Sequence, residues 1–505
     1  MATPKTAEID LLVVGGGING AGIARDAAGR GLTVLLAEKG DLAGATSGWS
    51  SKLIHGGLRY LEQYEFRLVR EALQEREVLL RLAPHIIRPL IFVLPHDASM
   101  RPAWMIRAGL WLYDRLGGPI TLPRSKAVGF PHMEFSAGLD PAIRKGFVYS
   151  DCRVDDARLT VLNAVSARAK GAEILTRTRF EEARRVDGRW EARLRLPGGA
   201  ERIVRAAALV NAAGPWVTDA LDTIHGERIR DKVRLVKGSH IVVPKVHSQG
   251  HALILQNTDK RVVFVIPYQN DFSLIGTTDV AVGSVEEAER ITEAETQYLL
   301  GAANRFLAKP VRASDIVWSY AGVRPLHDDG SDNPSEVTRD YVLKMDTEHG
   351  KVPLLTVFGG KITTYRCLAE EALEHLRPFF PGAGRSWTAT QELPGGDVGH
   401  FNAYRDAMHA RYPSLGRELV EGVVRRHGSL TPQVLGDARF PEGLGRIFGA
   451  GLSEREVAWL VKNEWAQTAE DVLWRRTKCG LHMTPGQREA VAQFMGPVKA
   501  GGSPA

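Results

Sequence analysis

The sequence has few cysteines and no long apolar run. Its 505 residues include three cysteines, Cys152, Cys367 and Cys479, which are far apart and odd in number. This pattern argues against a disulfide framework or a cysteine-rich zinc site and favours a reducing compartment, the cytoplasm. No run reaches the roughly 18 apolar residues that a membrane-spanning helix needs, and the N-terminal segment lacks the apolar core of a signal peptide. Any contact with a membrane is therefore expected to be peripheral.

The charge balance also lacks a strong bias. Lys plus Arg number 65 and Asp plus Glu number 59, which leaves a formal net charge of +6. Such a mild excess of positive charge favours anionic ligands or an anionic surface. No basic motif with interleaved aromatic residues accompanies the charge, so we expect no nucleic acid partner, and no metal site is expected either. The length suggests about three domains.

Residues 9–38 have the pattern of a strand, a glycine turn, a helix and a second strand that ends in an acid. Gly15 permits the tight turn, Gly17 lets the backbone approach a pyrophosphate, and Gly20 lets the helix pack on the strand. Unpaired N–H groups at the helix N-terminus suit phosphates, and Glu38 stands where a ribose hydroxyl needs an acceptor. The segment predicts a dinucleotide-binding site. The alternative is a glycine-rich turn in an unrelated α/β domain.

Three later stretches add candidate site residues. Small hydroxyl residues follow Glu38, and after them come His55, Arg59 and Tyr60 among glycines, which predicts a loop beside a cofactor rather than only a solvated polar loop. The stretch 211–216 ends a strand in small residues that permit close backbone approach. At 359–361, Gly-Gly-Lys again joins a strand to a helix.

The predicted fold class is α/β. We expect a Rossmann-like dinucleotide-binding domain with an inserted, mainly antiparallel β substrate domain, because short strands separated by turns dominate the middle of the chain. A helical C-terminal domain without a catalytic motif follows. The expected bounds are 1–88, 150–230 and 350–385 for the first domain, 89–149 and 231–349 for the substrate-binding cap domain, and 386–505 for the helical domain.

Apolar and aromatic residues crowd the segment 101–118, RPAWMIRAGLWLYDRLGG, between three arginines. The segment is too short to span a bilayer. One interpretation is a helix of the inserted domain that is buried because it is hydrophobic nearly all round. The other is a helix that lies at the lipid headgroup boundary, with Trp104 and Trp111 inserted and the arginines meeting anionic lipid.

Three motifs in order, VVGGGINGAGIARDAAGRG, SSKLIHGGLRYLE and FGGKITTYR, resemble the FAD-dependent glycerol-3-phosphate dehydrogenases, and the resemblance is strong over about residues 8–390. It implies a flavoenzyme of the glycine oxidase-like superfamily. Such an enzyme oxidises sn-glycerol 3-phosphate to dihydroxyacetone phosphate and passes the electrons to a membrane quinone, ubiquinone or menaquinone, at the cytoplasmic face. The oligomeric state stays open, and a homodimer is one option.

The resemblance also implies roles for single residues. Arg59, Tyr60, Arg324 and Arg339 would surround the substrate phosphate, since the planar fork of arginine suits that group. His55 would accept the proton of the C2 hydroxyl, and Lys361 would hold negative charge or orient the substrate oxygen, with Arg324 included in the catalytic set. In addition to the glycines and Glu38, the implied FAD contacts are Asn19, Lys39, Thr46, Ser47, Ser51, Lys52, Leu53, Gly214, Trp216, Gly360, Lys361, Ile362 and Thr363.

Other functions stay open on the residues alone. The chain could be an oxygen-reducing glycerol-phosphate oxidase, although those enzymes carry an extra inserted segment for which there is no obvious room. It could also be another FAD-dependent amine or hydroxy-acid oxidase, or a non-enzymatic FAD-binding subunit of a larger complex. The arginine set together with His55 favours the dehydrogenase, because an amino-acid oxidase has no need for a phosphate-sized basic pocket.

Overall fold

Two β-sheets and a helical C-terminal region make up the fold. A computed structural model describes residues 7–97, 100–130, 134–259, 261–328 and 340–496. The strands are β1 (Ala7–Val14), β2 (Val34–Ala37), β3 (Leu53–Ile54), β4 (Ile87–His96), β5 (Lys126–Gly129), β6 (Lys145–Val154), β7 (Glu173–Leu175), β8 (Arg179–Val186), β9 (Arg189–Arg195), β10 (Glu201–Asn211), β11 (Val233–Pro244), β12 (Ala252–Gln256), β13 (Val262–Tyr268), β14 (Phe272–Gly276), β15 (Val280–Val282), β16 (Trp318–His327), β17 (Val342–Glu348), β18 (Lys351–Phe358), β19 (Ile447–Gly449) and β20 (Leu452–Ser453).

The helices follow the amphipathic runs of the sequence. They are α1 (Ile18–Gly29), α2 (Phe66–Leu82), α3 (Ala103–Leu116), α4 (Asp156–Ala169), α5 (Val217–Asp222), α6 (Glu293–Asn304), α7 (Tyr365–Leu376), α8 (Phe401–Arg411), α9 (Arg417–His427), α10 (Thr431–Leu435), α11 (Glu454–Glu464) and α12 (Pro485–Met495), with a π-helix at Asp471–Arg476. Short 3₁₀ turns join several of them.

The first sheet has the strand order β17-β18-β10-β1-β2-β7, and from β18 to β7 the strands run parallel. One face packs on α1, α4 and α7, and the other is covered by the β8–β9 hairpin and α5. Burial on both faces explains why β1 and β2 are almost continuously apolar. This arrangement confirms the predicted Rossmann-like domain.

Register in this sheet aligns the carboxyl ends of four parallel strands. Val14 pairs with Ala37 on one side and with Asn211 on the other, and Asn211 pairs with Thr356. The glycine turn after β1, the acid after β2, and the motifs after β10 and β18 therefore emerge at one edge. Ligands of open α/β sheets bind at this edge.

The second sheet is mainly antiparallel, with the order β15-β11-β14-β13-β12-β4-β6-β3, and β16 pairs with β11. Helix α6 packs on one face, and α2 and α3 pack on the other. The expected inserted β domain is confirmed. One strand lies elsewhere than expected: β17 pairs with β18 in the first sheet rather than extending the second.

Helix α3 buries one face and exposes the other. Leu110 and Tyr113 are buried against the second sheet, whereas Trp104 is 70% and Trp111 50% exposed. Ala108 and Arg115 are also exposed, so the spacing 104, 108, 111 and 115 forms a single stripe along the helix. The interpretation of a helix buried all round is therefore wrong. Docking on a membrane stays a prediction.

Candidate functional site

A cavity of about 820 Å³ opens at the carboxyl edge of the first sheet and extends to the second sheet. This volume lies in the upper part of the range of ordinary ligand pockets. Residues predicted for the site that line the cavity are Gly15, Gly17, Asn19, Glu38, Lys39, Thr46, Ser47, Ser51, Leu53, His55, Arg59, Tyr60, Gly214, Trp216, Arg324, Gly360, Lys361, Ile362 and Thr363. The fold thus brings residues of three separate sequence motifs to one cavity.

The glycine turn leaves no room for a side chain at Gly15 or Gly20. Gly15 has φ +109°, and a Cβ there would lie 2.4 Å from the Ala212 carbonyl oxygen. A Cβ on Gly20 would lie 1.9 Å from the Gly15 oxygen, so Gly20 serves helix packing and does not line the cavity. At Gly17 the nearest atom to a built Cβ is Ser47 Oγ at 3.2 Å. The backbone here is bare, which fits close approach by a pyrophosphate.

Glu38 is held by two backbone amides. Its carboxylate accepts from the N–H of Gly16 at 2.6 Å and from that of Gly40 at 2.7 Å, one bond for each oxygen. Burial raises the pKa of Glu38, and these two bonds work in the opposite direction. Each carboxylate oxygen keeps a second acceptor site. The group therefore fits the hydroxyls of a bound ribose.

A second observation also fits FAD. Asn19 lines the cavity, its amide donates to the Gly359 oxygen at 3.1 Å, and its Oδ1 is buried without a hydrogen-bond partner. Gly360 has φ +98°, and a Cβ there would lie 2.8 Å from Asn19 Nδ2. Buried acceptors in native proteins are nearly always paired. An extra donor supplied by a ligand would pair Asn19 Oδ1.

Lys52 was predicted to contact the cofactor, but it does not line the cavity. Its side chain is buried, and the ammonium lies 2.9 Å from both carboxylate oxygens of Asp156 and 2.9 Å from the Gly48 oxygen. A buried ammonium needs such a partner, so Lys52 holds the loop rather than the ligand. Arg339 lies outside the described residues.

Three basic side chains that are candidates for phosphate binding, Arg59, Arg324 and Lys361, also line the cavity. Arg324 on β16 is 2.5 Å from Asp279 Oδ1 and donates to Thr277 Oγ1 at 3.0 Å. The Lys361 ammonium lies 3.8 Å from the centre of the ring of Tyr60, the residue that follows Arg59. These contacts orient the cationic groups before any ligand binds. Cationic groups of this kind suit a dianionic ligand such as a phosphate.

His55 also lines the cavity. Its backbone N–H donates to Thr363 Oγ1 at 3.3 Å, and its ring lies 6.4 Å from that of Phe264, edge to face. The next residue is also fixed, because the Gly56 N–H donates to the Tyr113 hydroxyl at 2.9 Å. Tyr113 belongs to α3 and donates in turn to Asp151. The loop that carries His55 is thus held from both sides.

Sequence reasoning missed a second histidine. His240, in the middle of β11, lines the cavity with its Nε2 2.9 Å from Ser51 Oγ and its ring stacked on Tyr320 at 4.8 Å. Burial, with the positive charges of Arg324 and Lys52, holds the pKa of His240 well below its ordinary value. The lowered pKa favours the neutral imidazole, and the contact with Ser51 Oγ positions that hydroxyl. The available signal was a histidine within an apolar strand.

The C-terminal region also reaches the cavity, although its sequence shows no catalytic motif. Thr468, Asp471 and Arg475 line the wall beside Glu38 and Arg177. Within the described ranges, no three His, Cys, Asp or Glu side chains form a group that could hold a metal ion. Nor does any helix of that part of the chain have the length and apolarity needed to cross a bilayer.

Comparisons with known proteins agree with this geometry. Residues 10–366 match the FAD dependent oxidoreductase family, and residues 386–499 match the C-terminal domain of alpha-glycerophosphate oxidase. The chain is 52% identical to the aerobic glycerol-3-phosphate dehydrogenase of Escherichia coli K12, over 96% of this chain and 97% of that protein. It is equally 52% identical to D-erythritol 1-phosphate dehydrogenase of Brucella abortus, over 98% of both.

A solved structure shares the architecture. The glycerol-3-phosphate dehydrogenase of Bacillus halodurans, complexed with FAD, matches with a TM-score of 0.75 and 26% identity, over 97% of this chain and 90% of that one. Both the dinucleotide sheet and the helical C-terminal region lie within the matched length.

Proposed function

This chain belongs to the FAD-dependent oxidoreductase family, and we propose that it oxidises sn-glycerol 3-phosphate to dihydroxyacetone phosphate, with FAD as the hydride acceptor. The observation that carries the proposal is one cavity that is lined both by the dinucleotide cradle and by Arg59, Arg324 and Lys361. A phosphorylated alcohol that is oxidised by a flavin needs both parts in contact.

Each part of the reaction has a residue to serve it. Bound FAD supplies a two-electron acceptor for the hydrogen that leaves C2 as hydride. His55 accepts the proton of the C2 hydroxyl, since a neutral imidazole is suited to that task near pH 7, and the C2–O bond becomes a carbonyl. Lys361, which lies between β18 and α7, would stabilise negative charge on the reduced flavin or orient the substrate oxygen. Arg324 and Arg59 bind the phosphate, and Arg339 is a third proposed ligand.

The test is anaerobic mixing of the purified yellow protein with sn-glycerol 3-phosphate while the flavin absorbance is recorded. We expect bleaching with the phosphate ester and little or none with glycerol at the same concentration. Equal bleaching by both compounds would remove the phosphate from the recognition scheme. A full flavin complement with no bleaching by either would leave a cofactor-binding protein without this activity.

A second substrate deserves the same assay, because a D-erythritol 1-phosphate dehydrogenase is as similar to this chain as the E. coli enzyme is. The two substrates share the phosphate end and differ by one hydroxylated carbon at the other. The second candidate function is therefore oxidation of erythritol phosphate. Comparing kcat/KM for the two esters decides between them, since that ratio measures differential transition-state binding.

The electron acceptor is a quinone from the membrane, ubiquinone or menaquinone, in our proposal, and α3 is the docking element. Its exposed stripe contains Trp104 and Trp111, and the Arg115 guanidinium lies 4.1 Å from the centre of the Trp111 ring. Aromatic rings with an adjacent cation suit the boundary between headgroups and acyl chains. Not all three arginines serve this face equally: Arg107 donates to Ser125 Oγ at 3.0 Å.

A chain of aromatic contacts supports this choice, because it leads from α3 to the cavity. Tyr113 meets Tyr149 at 5.8 Å, Tyr149 stacks on Phe92 at 5.2 Å, and Phe92 meets Phe264 at 6.0 Å between ring centres. Phe264 and Tyr149 both line the cavity. Helix α3, which we assign to the membrane surface, therefore packs on aromatic side chains that line the cavity. A lipid-soluble acceptor would approach the cavity from this side.

Vesicle flotation tests the docking. We expect the double variant Trp104→Glu with Trp111→Glu to keep its FAD and reduce a soluble dye but to lose flotation with anionic vesicles. Phe440→Glu is the matched control, because Phe440 is 61% exposed in the C-terminal region. If the double variant floats as the wild type does, α3 is not the membrane-docking element and another surface must serve. Reoxidation by air as fast as by a short-chain quinone would favour an oxygen-reducing oxidase instead.

A further inference from the structure

The C-terminal region touches the cofactor cavity through one short element. The π-helix Asp471–Arg476 contributes Asp471 and Arg475 to the cavity wall, and Thr468 precedes it there. π-helical turns are rare and often mark functional sites. Here the turn brings three consecutive side chains, Trp474, Arg475 and Arg476, to partners outside the C-terminal region.

Two of these side chains grip one carboxylate. Arg476 donates to Asp41 Oδ2 at 2.7 Å and to Oδ1 at 2.8 Å, and Arg475 Nε donates to Oδ2 at 2.6 Å. Asp41 and Arg476 are both buried. Charges removed from water persist only when they are paired with good geometry. The pairing therefore fixes Asp41 firmly against the C-terminal region.

Asp41 ends the turn that carries the ribose acceptor. Gly40, its neighbour, donates the N–H that orients Glu38, and the Gly40 oxygen accepts from the Arg177 N–H at 2.8 Å. The Arg177 guanidinium in turn lies 2.7 Å from Asp471 Oδ2. The π-helix thus holds the turn Glu38–Asp41 in two ways. It binds the Asp41 carboxylate directly, and through Arg177 it is linked to the Gly40 oxygen.

The same element also contacts the second sheet. Trp474 stacks on Trp318 of β16, with ring centres 4.8 Å apart and planes at 23°. Trp318 lies 6.0 Å from Trp49, which lines the cavity. One turn of helix therefore joins the C-terminal region, the acid after β2 and the β16 wall.

We propose that the π-helix Asp471–Arg476 is a cofactor-positioning element, which holds the turn Glu38–Asp41 in the geometry that binds the adenosine end of FAD. The C-terminal region is then part of the cofactor site. Arg476 is a positioning residue, because it acts through Asp41 and does not line the cavity. The inference rests on the FAD part of the proposed function and is independent of which alcohol is oxidised.

The test compares two arginine-to-methionine variants of the full-length protein. Arg476→Met removes the fork on Asp41. Arg426→Met is the control, because Arg426 makes an equivalent two-bond pair with Glu456, at 2.6 and 2.7 Å, wholly within the C-terminal region. The readouts are the FAD dissociation constant from flavin fluorescence, the rate of FAD release from the loaded protein, and the Tm with and without added FAD.

We expect Arg476→Met to weaken FAD binding by about tenfold or more, because losing one partner of a buried charge pair leaves the other misplaced. Arg426→Met should lower the Tm but change the dissociation constant by less than about twofold, so that added FAD still raises its Tm as in the wild type. Arg476→Lys keeps the charge but not the two-bond geometry, so its FAD dissociation constant should lie between those of the wild type and Arg476→Met.

Two outcomes would overturn the inference. One is a wild-type FAD dissociation constant in Arg476→Met and in Arg476→Lys. The other is an equal loss of FAD in Arg426→Met, which would reduce the effect to general stability. If Arg476→Met does not fold, the lysine variant decides by the same comparison. The inference can also be separated from the proposed substrate. If the variants show the expected FAD dissociation constants but glycerol 3-phosphate does not bleach the wild-type protein, the proposed substrate is refuted and the positioning role of the π-helix stands.

Discussion

Replacing Arg324 by alanine should cost the protein its preference for the phosphate ester. The guanidinium lines the cavity, where Asp279 at 2.5 Å and Thr277 at 3.0 Å hold it in place. Two charge-assisted bonds to phosphate at about 1.5 kcal/mol or more each amount to about 3 kcal/mol, which is on the order of a hundredfold in kcat/KM.

The assay is anaerobic flavin bleaching at a series of substrate concentrations, with glycerol 3-phosphate and with glycerol. Arg324→Ala should lower kcat/KM for glycerol 3-phosphate and leave the weak reaction with glycerol unchanged. Removal of Arg324 also strands the Asp279 carboxylate, so the control is Arg324→Ala combined with Asp279→Asn. If the double variant recovers the ester reaction, or if both substrates lose equally, the phosphate role is refuted. Arg324→Lys should retain more activity than Arg324→Ala, since it keeps the charge without the fork.

Three further predictions can be checked directly. Gly20→Ala should lower the FAD content and the Tm, because its Cβ would lie 1.9 Å from the Gly15 oxygen, whereas Gly301→Ala in α6, with open space around it, should change neither. His55→Asn should slow bleaching on the order of a hundredfold with a much smaller effect on substrate binding; an unchanged bleaching rate would exclude His55 as the base. Glu456 has its pKa lowered to about 2 from 4.5 despite burial, chiefly by Arg426, so its contribution to stability is present above about pH 4.5 and is lost as the pH falls towards 2. Denaturant unfolding at pH 7 and pH 3.5 should show a smaller acid loss in Arg426→Met than in the wild type; an equal loss would contradict this linkage.

The local patterns of the sequence determined much of the fold. The glycine turn, helix and acid of residues 9–38 depend on dihedral freedom and side-chain period within one short stretch, and they form as expected in β1, α1 and β2. Helix α2 likewise follows from the helical spacing of its apolar residues, and helices α4 and α8 lie close to where the sequence predicts them. The glycine turn after β1, the acid after β2 and the motifs after β10 and β18 had to meet, because parallel strands present their carboxyl ends at one edge.

Other features were decided by partners far away in the chain. Lys52 stands in the sequence among residues that are predicted to contact the cofactor, yet Asp156, 104 positions later, binds its ammonium. His240 meets Ser51 across 189 positions, and Arg476 meets Asp41 across 435. Residue spacing and secondary-structure propensity describe only a few neighbouring residues. They therefore cannot predict which pairs of distant polar or charged side chains will be buried together.

The face that a helix exposes is a tertiary property for the same reason. Composition made α3 apolar nearly all round, and only its packing on the second sheet decided that Tyr113 is buried while Trp104 and Trp111 are exposed. Strand β17 joined the first sheet because β18 offered it an edge. The sequence by itself thus specified the cradle and the candidate chemistry, whereas the tertiary structure decided which side chains complete the cavity, since burial and charge pairing are settled only when the whole chain has packed.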